Sequence, residues 1–220
     1  MEDERRRAVK ELAAAFLDRG DPLGWFDEYY RRANGDVSLI PWADKQANPA
    51  LVEWLRFRQG NATPALVVGC GLGDDAELLA CHGYQTTAFD ISATAVSWCR
   101  HRFPGSMVRY ETADLFDLPA AWIAAFDFVL EALTLQALPP AIRAAACRAI
   151  ASAVRPDGRL LVICRGCDER EDRPQIPWPV TRTELDVLES AGLSCEQFED
   201  FWDTEDPPVR RFRVLYRRHL

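Results

Sequence analysis

Apolar and polar positions fall into blocks along this chain that predict strands alternating with helices. Ala65-Leu-Val-Val68 is a short continuous apolar run, the pattern of a strand buried on both faces. Gln85–Asp90, Met107–Thr112 and Phe126–Glu131 read as three more strands, each ending in a polar residue. A fifth strand ends near Cys164, and Ser194–Trp202 and Val209–Arg217 read as a closing pair of strands. Between them, Asp74–His82 and the segment capped by Ser92 are compatible with helix. Thr181–Ala191 is a helix with a capping box, Thr181 and Glu184, and a stop at Gly192. At the front, residues 2–18 and 22–33 read as helices, the second ending at the breaker Asn34-Gly35. A polar, Pro-rich stretch, Asp168–Pro179, follows the fifth strand and has the length of a substrate lid. Strands interleaved with helices in this way predict an α/β fold.

The first strand runs straight into Gly69-Cys70-Gly71-Leu72-Gly73. Glycines let the backbone turn sharply and approach a ligand closely, and Asp74 and Asp75 suit the start of the helix that follows. Strand, glycine turn and helix form a nucleotide-type corner. The spacing G-x-G-x-G departs from the dinucleotide pattern G-x-G-x-x-G. Two carboxylates beside the turn are unfavourable for a pyrophosphate and suit a cationic or zwitterionic ligand such as S-adenosylmethionine. Asp90, at the tip of the second strand, is placed to accept hydrogen bonds from both ribose hydroxyls; the plainer alternative is a loop or cap residue. Asp114 can accept from an adenine amino group while Leu115 and Phe116 cover the ring, unless this is only a strand-end turn. Glu131 ends the fourth strand at the same edge and can meet either the amino group of the methionine moiety or the incoming acceptor.

These residues give the chain a resemblance to class I S-adenosylmethionine-dependent methyltransferases, from about Trp25 to the end. It is most similar to the small-molecule branch that includes thiopurine methyltransferase-like and tellurite-resistance-type enzymes. Ile40-Pro41-Trp42 resembles the Pro-Trp segment that lies over the cofactor in that branch, and Val68–Asp75 resembles its G-C-G-x-G-x-D signature. Thr134–Pro140 with Arg143 resembles its segment after strand four, and Arg155–Leu160 the turn before strand five. The resemblance implies a Rossmann-like three-layer sandwich: a seven-stranded, mostly parallel sheet with a C-terminal antiparallel strand pair. An N-terminal helical cover, residues 1–45, would sit on a binding domain, residues 46–220, as one structural unit. It implies S-adenosyl-L-methionine as cofactor, held by Trp42, Gly69, Cys70, Gly71, Gly73, Asp75, Asp90, Ile91, Asp114, Leu115, Phe116 and Glu131. Val67 stands where many methyltransferases carry an acidic residue, as it does in this branch, and Asp157 stands where glycine is common. Glu131-Ala-Leu-Thr134 replaces the Asn-Pro-Pro-Tyr type of motif used for amine methylation of bases, which disfavours a nucleic-acid substrate.

Composition narrows the picture. The 220 residues fit one domain with a substantial core, and a net charge of −8 argues against a nucleic-acid footprint. Arg210, Arg211, Arg213, Arg217 and Arg218 alternate with apolar residues and read as the polar side of an edge strand rather than a basic patch. No apolar run reaches the length of a membrane span, and the charged N-terminus lacks a signal-peptide core, so a cytoplasmic protein is expected. Seven cysteines, an odd count, with Cys70, Cys81, Cys99 and Cys147 set among apolar residues, suggest reduced core thiols. Cys164-x-x-Cys167 has no second ligand pair, so no metal is expected.

No dedicated general base stands out. Glu131, Trp25 and Tyr29 are positioning candidates, and Trp42, Trp178, Trp202 and Tyr30 could complete an aromatic enclosure. The leading expectation is methyl transfer to a small molecule through a thiol or other chalcogen, by a monomer or weak dimer. The alternatives are an N- or O-methyltransferase of a specialised metabolite, a nicotinamide-dependent oxidoreductase, or a non-catalytic S-adenosylmethionine-binding protein. The glycine spacing and the terminal strand pair speak against the oxidoreductase.

Overall fold

The computed structural model describes residues 2–43 and 45–219, so Met1 and Asp44, within the expected cover, lie outside the described residues. The strands are β1 (Pro64–Val68), β2 (Gln85–Asp90), β3 (Arg109–Thr112), β4 (Phe126–Ala132), β5 (Val154–Arg165), β6 (Leu193–Trp202) and β7 (Arg210–Arg218). They form one sheet in the order β3-β2-β1-β4-β5-β7-β6, with β1 to β5 mutually parallel and β7 antiparallel to both its neighbours.

Alternate residues of each strand feed opposite faces. Ala65, Val67, Ala88, Leu130 and Ile163 pack with α3 (Pro49–Leu55), α4 (Asp74–Cys81) and α5 (Ala93–Arg102). Leu66, Val68, Phe89, Val129 and Val162 pack with α6 (Pro140–Ala153) and α7 (Arg182–Ser190). The result is the three-layer α/β sandwich expected. A third cluster joins α1 (Glu2–Leu17) and α2 (Gly24–Ala33) to Leu72, Ala95, Ile176 and Trp178, so the N-terminal helices rest on the glycine turn and on the Pro-rich loop.

Two sequence expectations change. The Arg-rich strand β7 lies between β5 and β6 and is not an edge strand; β6 takes the edge. Its arginines meet acids: Arg210 pairs with Asp200 and Asp168, Arg211 with Asp203 and Glu205, Arg213 with Glu199, and Arg217 with Asp157. The expected turn before the fifth strand is absorbed into β5 as a register shift. Val154 pairs with Phe126 and Arg159 with Phe128, and Asp157 takes a positive φ of 63° in the intervening loop-out. Flanking hydrogen bonding to β4 and β7 keeps this irregular stretch in the sheet.

The Pro-rich segment ends in a fixed anchor. Arg143, 1% exposed, donates to the carbonyls of Leu135, Leu138, Trp178 and Pro179 and pairs with Glu184 at 2.8 Å. Arg173, from the loop itself, pairs with the other oxygen of Glu184. Glu184 in turn closes the Thr181 capping box of α7. One buried guanidinium thus ties together the turn after β4, the loop and α7.

Candidate functional site

The glycine turn is held by groups from β2 and α5 and by a bond of its own. Cys70 N–H donates to Phe89 O at 2.8 Å, prolonging the β1–β2 ladder past the end of β1. Gly71 N–H donates to the Asp90 carboxylate at 2.9 Å, and Gly73 N–H to Cys70 O at 2.9 Å. The Cys99 thiol donates to Gly71 O at 3.2 Å, and Arg102 donates to Leu72 O. Gly71 and Gly73 both have positive φ, 53° and 90°. A Cβ on Gly73 would sit 2.5 Å from the Tyr110 hydroxyl, so packing demands glycine there. A Cβ on Gly71 would meet only the Tyr30 hydroxyl at 3.4 Å, so its open side faces the site.

Asp90 is the electrostatic centre. One oxygen accepts from Gly71 N–H and the other from Ser92 N–H, each at 2.9 Å, leaving further acceptor capacity on both. Burial pushes its carboxyl up to about 6 against these two hydrogen bonds, and the charge of nearby Asp27 adds to the rise. Ile91 follows directly, half-buried. Thr112 pairs with Asp90, so β3 delivers Asp114, Leu115 and Phe116 beside it. Asp114 accepts from Phe116 N–H at 2.8 Å and shapes that turn; Leu115 is buried and Phe116 partly exposed.

Other expected residues have local employment. Asp75 is half-buried and accepts from Asn48 N–H at 2.7 Å, tethering the start of α3; desolvation pushes its carboxyl up to about 6. Asp74 forms a bidentate pair with Arg102 at 2.8–2.9 Å, so its charge is matched and the acidic character of the turn rests on Asp75 and Asp90. Glu131 has no exposed surface. Its Oε1 accepts from Leu135 N–H at 2.8 Å, while Oε2 is buried without a partner, and burial pushes the carboxyl up to about 7. Cys164 and Cys167 are both buried free thiols. Among the described residues no cluster of three His, Cys, Asp or Glu side chains could hold a metal.

The roof comes from α2 and the Trp42 segment. Trp42 is 38% exposed, stands edge-on to Trp25 and Tyr30, and donates from Nε1 to the Tyr30 hydroxyl at 3.0 Å. Tyr30, not Tyr29, reaches the glycine turn; Tyr29 is buried with its ring centroid 5.2 Å from that of Trp42 and donates to Leu39 O at 3.1 Å. Trp25 is buried and stacks on Phe26, and Trp178 joins the same cluster. Trp202 is 67% exposed at the far end of edge strand β6 and takes no part in an enclosure. Sequence reasoning missed Asp27, which accepts from Ser92 Oγ at 2.7 Å and Thr94 N–H at 3.1 Å and clasps α2 to the start of α5. The signal was available only as an acidic residue in an amphipathic helix.

The arrangement fits S-adenosylmethionine. Asp90 keeps lone pairs for a diol, and Gly71 leaves room for a close backbone approach. Apolar side chains flank the neighbouring loop, and the orphaned Glu131 Oε2 is an acceptor lacking a donor. Comparison with known proteins agrees. The chain is 25% identical to thiocyanate methyltransferase 1 of Brassica oleracea over 166 residues, covering 74% of this chain and 72% of the relative. It is 23% identical to thiocyanate methyltransferase 1 of Arabidopsis thaliana over 194 residues, covering 86% and 82%. Its fold matches that of Burkholderia thailandensis 1,6-didemethyltoxoflavin-N1-methyltransferase, solved with its substrate and S-adenosylhomocysteine. The TM-score is 0.70 at 20% identity, covering 94% of this chain and 89% of that one. Residues 36–215 match the family described as Thiopurine S-methyltransferase (TPMT). The chain belongs to that family and is an S-adenosylmethionine-dependent methyltransferase of small molecules.

Proposed function

We propose that the methyl group is transferred to a thiol or another chalcogen of a small acceptor. When bound, S-adenosylmethionine supplies an electrophilic methyl group on a sulfonium. In this reading Asp90 takes the ribose hydroxyls; Ile91, Leu115 and Phe116 flank the adenine and Asp114 accepts from its amino group. Gly69, Cys70, Gly71 and Gly73 pass close to the methionine moiety, whose ammonium Glu131 Oε2 accepts. Trp42, Trp25 and Tyr29 belong to the cover, residues 1–45, that shields the reacting groups from water, and Asp75 holds the frame behind the turn.

The observation that carries the choice of nucleophile is the character of the roof. It offers aromatic faces and two buried phenols, Tyr29, whose pKa burial pushes up, and Tyr30, whose pKa is pushed well up by burial and then by the charge of Asp90. A phenol held protonated does not collect a proton from an acceptor. A thiol, with a reference pKa near 8.5, is already partly ionised at neutral pH and needs only to be positioned. Positioning is worth up to about 7–11 kcal/mol in favourable intramolecular reactions. The name of the two plant relatives, thiocyanate methyltransferase, supports a sulfur nucleophile.

Seven free cysteines and the absence of any membrane-length apolar helix among the described residues support a cytoplasmic setting. The paired arginines of β7 support a protein with no nucleic-acid partner, and the reading takes it to work as a monomer or weak dimer. The purified chain incubated with methyl-labelled S-adenosylmethionine and panels of thiols, amines and phenols should label thiols. Label found only in amines or phenols would overturn the sulfur assignment.

A further inference from the structure

At the C-terminal end of β5, Arg165 stands directly across from Arg211 of β7 in the antiparallel register. Like charges placed opposite each other on a sheet are destabilising, and a partly buried cation without a counter-ion costs more. Both conditions hold. Among the described residues Arg165 is half-buried, takes part in no ion pair, and leaves its Nε buried without a hydrogen-bond partner. Arg211, 9% exposed, is engaged by Asp203 and Glu205, yet its Nη1 is likewise buried and unpartnered. Arg6 of α1 also acts on Arg165 through its positive charge, while the carboxylates of Glu205 and Asp203 act the other way. Burial, then the charge of Arg211, holds the Arg165 pKa below its ordinary value.

The position is built and close to the reaction site. Arg165 N–H donates to Gln136 Oε1 at 2.7 Å, and Arg165 O accepts from Val180 N–H at 2.8 Å. Both ends of the peptide are therefore fixed, by the turn after β4 and by the end of the Pro-rich loop. Ile163 belongs to the sheet face covered by α3 to α5 and Cys164 to the other, so Arg165 points to the same face as Asp90. The end of β5 is two strands from the end of β1, about 10 Å from the glycine turn at ordinary strand spacing.

We propose that Arg165, backed by Arg211, binds a carboxylate on the non-reacting end of the methyl acceptor. The planar guanidinium fork matches a carboxylate through two parallel hydrogen bonds, and the ion supplies the counter-charge that the protein withholds. The inference rests on the thiol-methylation reading and narrows it to acceptors that carry an acid group remote from sulfur.

Benzoate, which has no nucleophile to methylate, tests the anion site apart from turnover. Calorimetry on the S-adenosylhomocysteine-loaded protein should show benzoate binding and no benzamide binding. Arg165→Met should weaken benzoate at least tenfold, leave S-adenosylhomocysteine affinity within twofold, and leave Tm unchanged or raised, because an unpaired cation is removed. In turnover, the preference of kcat/KM for 4-mercaptobenzoate over its methyl ester should fall at least tenfold in the variant. Benzoate that binds variant and wild type alike, or a variant that melts several degrees lower with unchanged anion affinity, would overturn the proposal. If Arg165→Met does not fold, Arg165→Gln is measured in the same way. Loss of methylation of every thiol with benzoate binding intact would instead sink the sulfur reading.

Discussion

Asp90 shows how one side chain serves structure and ligand at once. It accepts from the turn it faces, through Gly71, and from the helix start that follows it, through Ser92. With its carboxyl raised to about 6 by burial, the fraction ionised rises through that pH, and the ionised form is the better acceptor for hydroxyls. Affinity for S-adenosylhomocysteine should therefore grow several-fold from pH 5 to pH 7.5. Asp90→Asn should bind at least tenfold more weakly at pH 7.5 and show little of this rise. Calorimetry across that range decides it, and equal affinity of the two proteins would remove Asp90 from the ribose site. This carboxylate was legible because strand end and glycine turn are both local patterns. The fate of Asp74 was not, since its partner Arg102 lies on a different helix. Nor could adjacent tyrosines be ranked: Tyr29 and Tyr30 are one helical step apart, and only the docking of α2 decides which phenol meets Gly71.

Among elements, the Pro-rich loop and α7 depend on two devices of different reach. The Thr181 cap is local, and Thr181→Ala should cost about 1 kcal/mol in urea unfolding. Arg143 is buried and binds four carbonyls and Glu184, so Arg143→Met should cost about 3 kcal/mol or more. It should also speed amide exchange across residues 168–179, which the cap variant should not do. Equal costs, or unchanged exchange in Arg143→Met, would show that the loop is held by other contacts. The capping box was readable from Thr181 and Glu184 three residues apart. The role of Arg143 was readable only as a resemblance, because its partners are carbonyl oxygens, which every residue possesses and no sequence pattern distinguishes.

For the whole molecule, the carboxylates divide into two sets with opposite pH effects. Asp75 and Asp90 are raised to about 6 and Glu131 to about 7, each by burial. Their stability contribution is complete below the unfolded-state values near 4 and is lost as pH rises through 6–7, on the order of 3 kcal/mol each at most. Asp200 is held low by Arg210. In Asp27, Asp203 and Glu184 burial pulls upward, but hydrogen bonds and arginine charges outweigh it and leave them low as well. These four stabilise above the unfolded values and lose that contribution as pH falls below about 4. The ligand-free protein should melt highest near pH 5, and S-adenosylhomocysteine should move that optimum upward by favouring ionised Asp90. A ligand-free Tm that is flat or still rising at pH 8 would contradict this balance. By itself the sequence determined the strands, five of the helices (α1, α2, α4, α5 and α7), the glycine turn and the place of Asp90, because hydrophobic period and backbone permissiveness act within a few residues. The tertiary structure alone decided the sheet order that takes β7 off the edge. It alone set Arg165 against Arg211, brought Tyr30 onto the turn and brought Asp27 onto the start of α5, because those contacts join positions far apart in the chain and exist only once the layers pack.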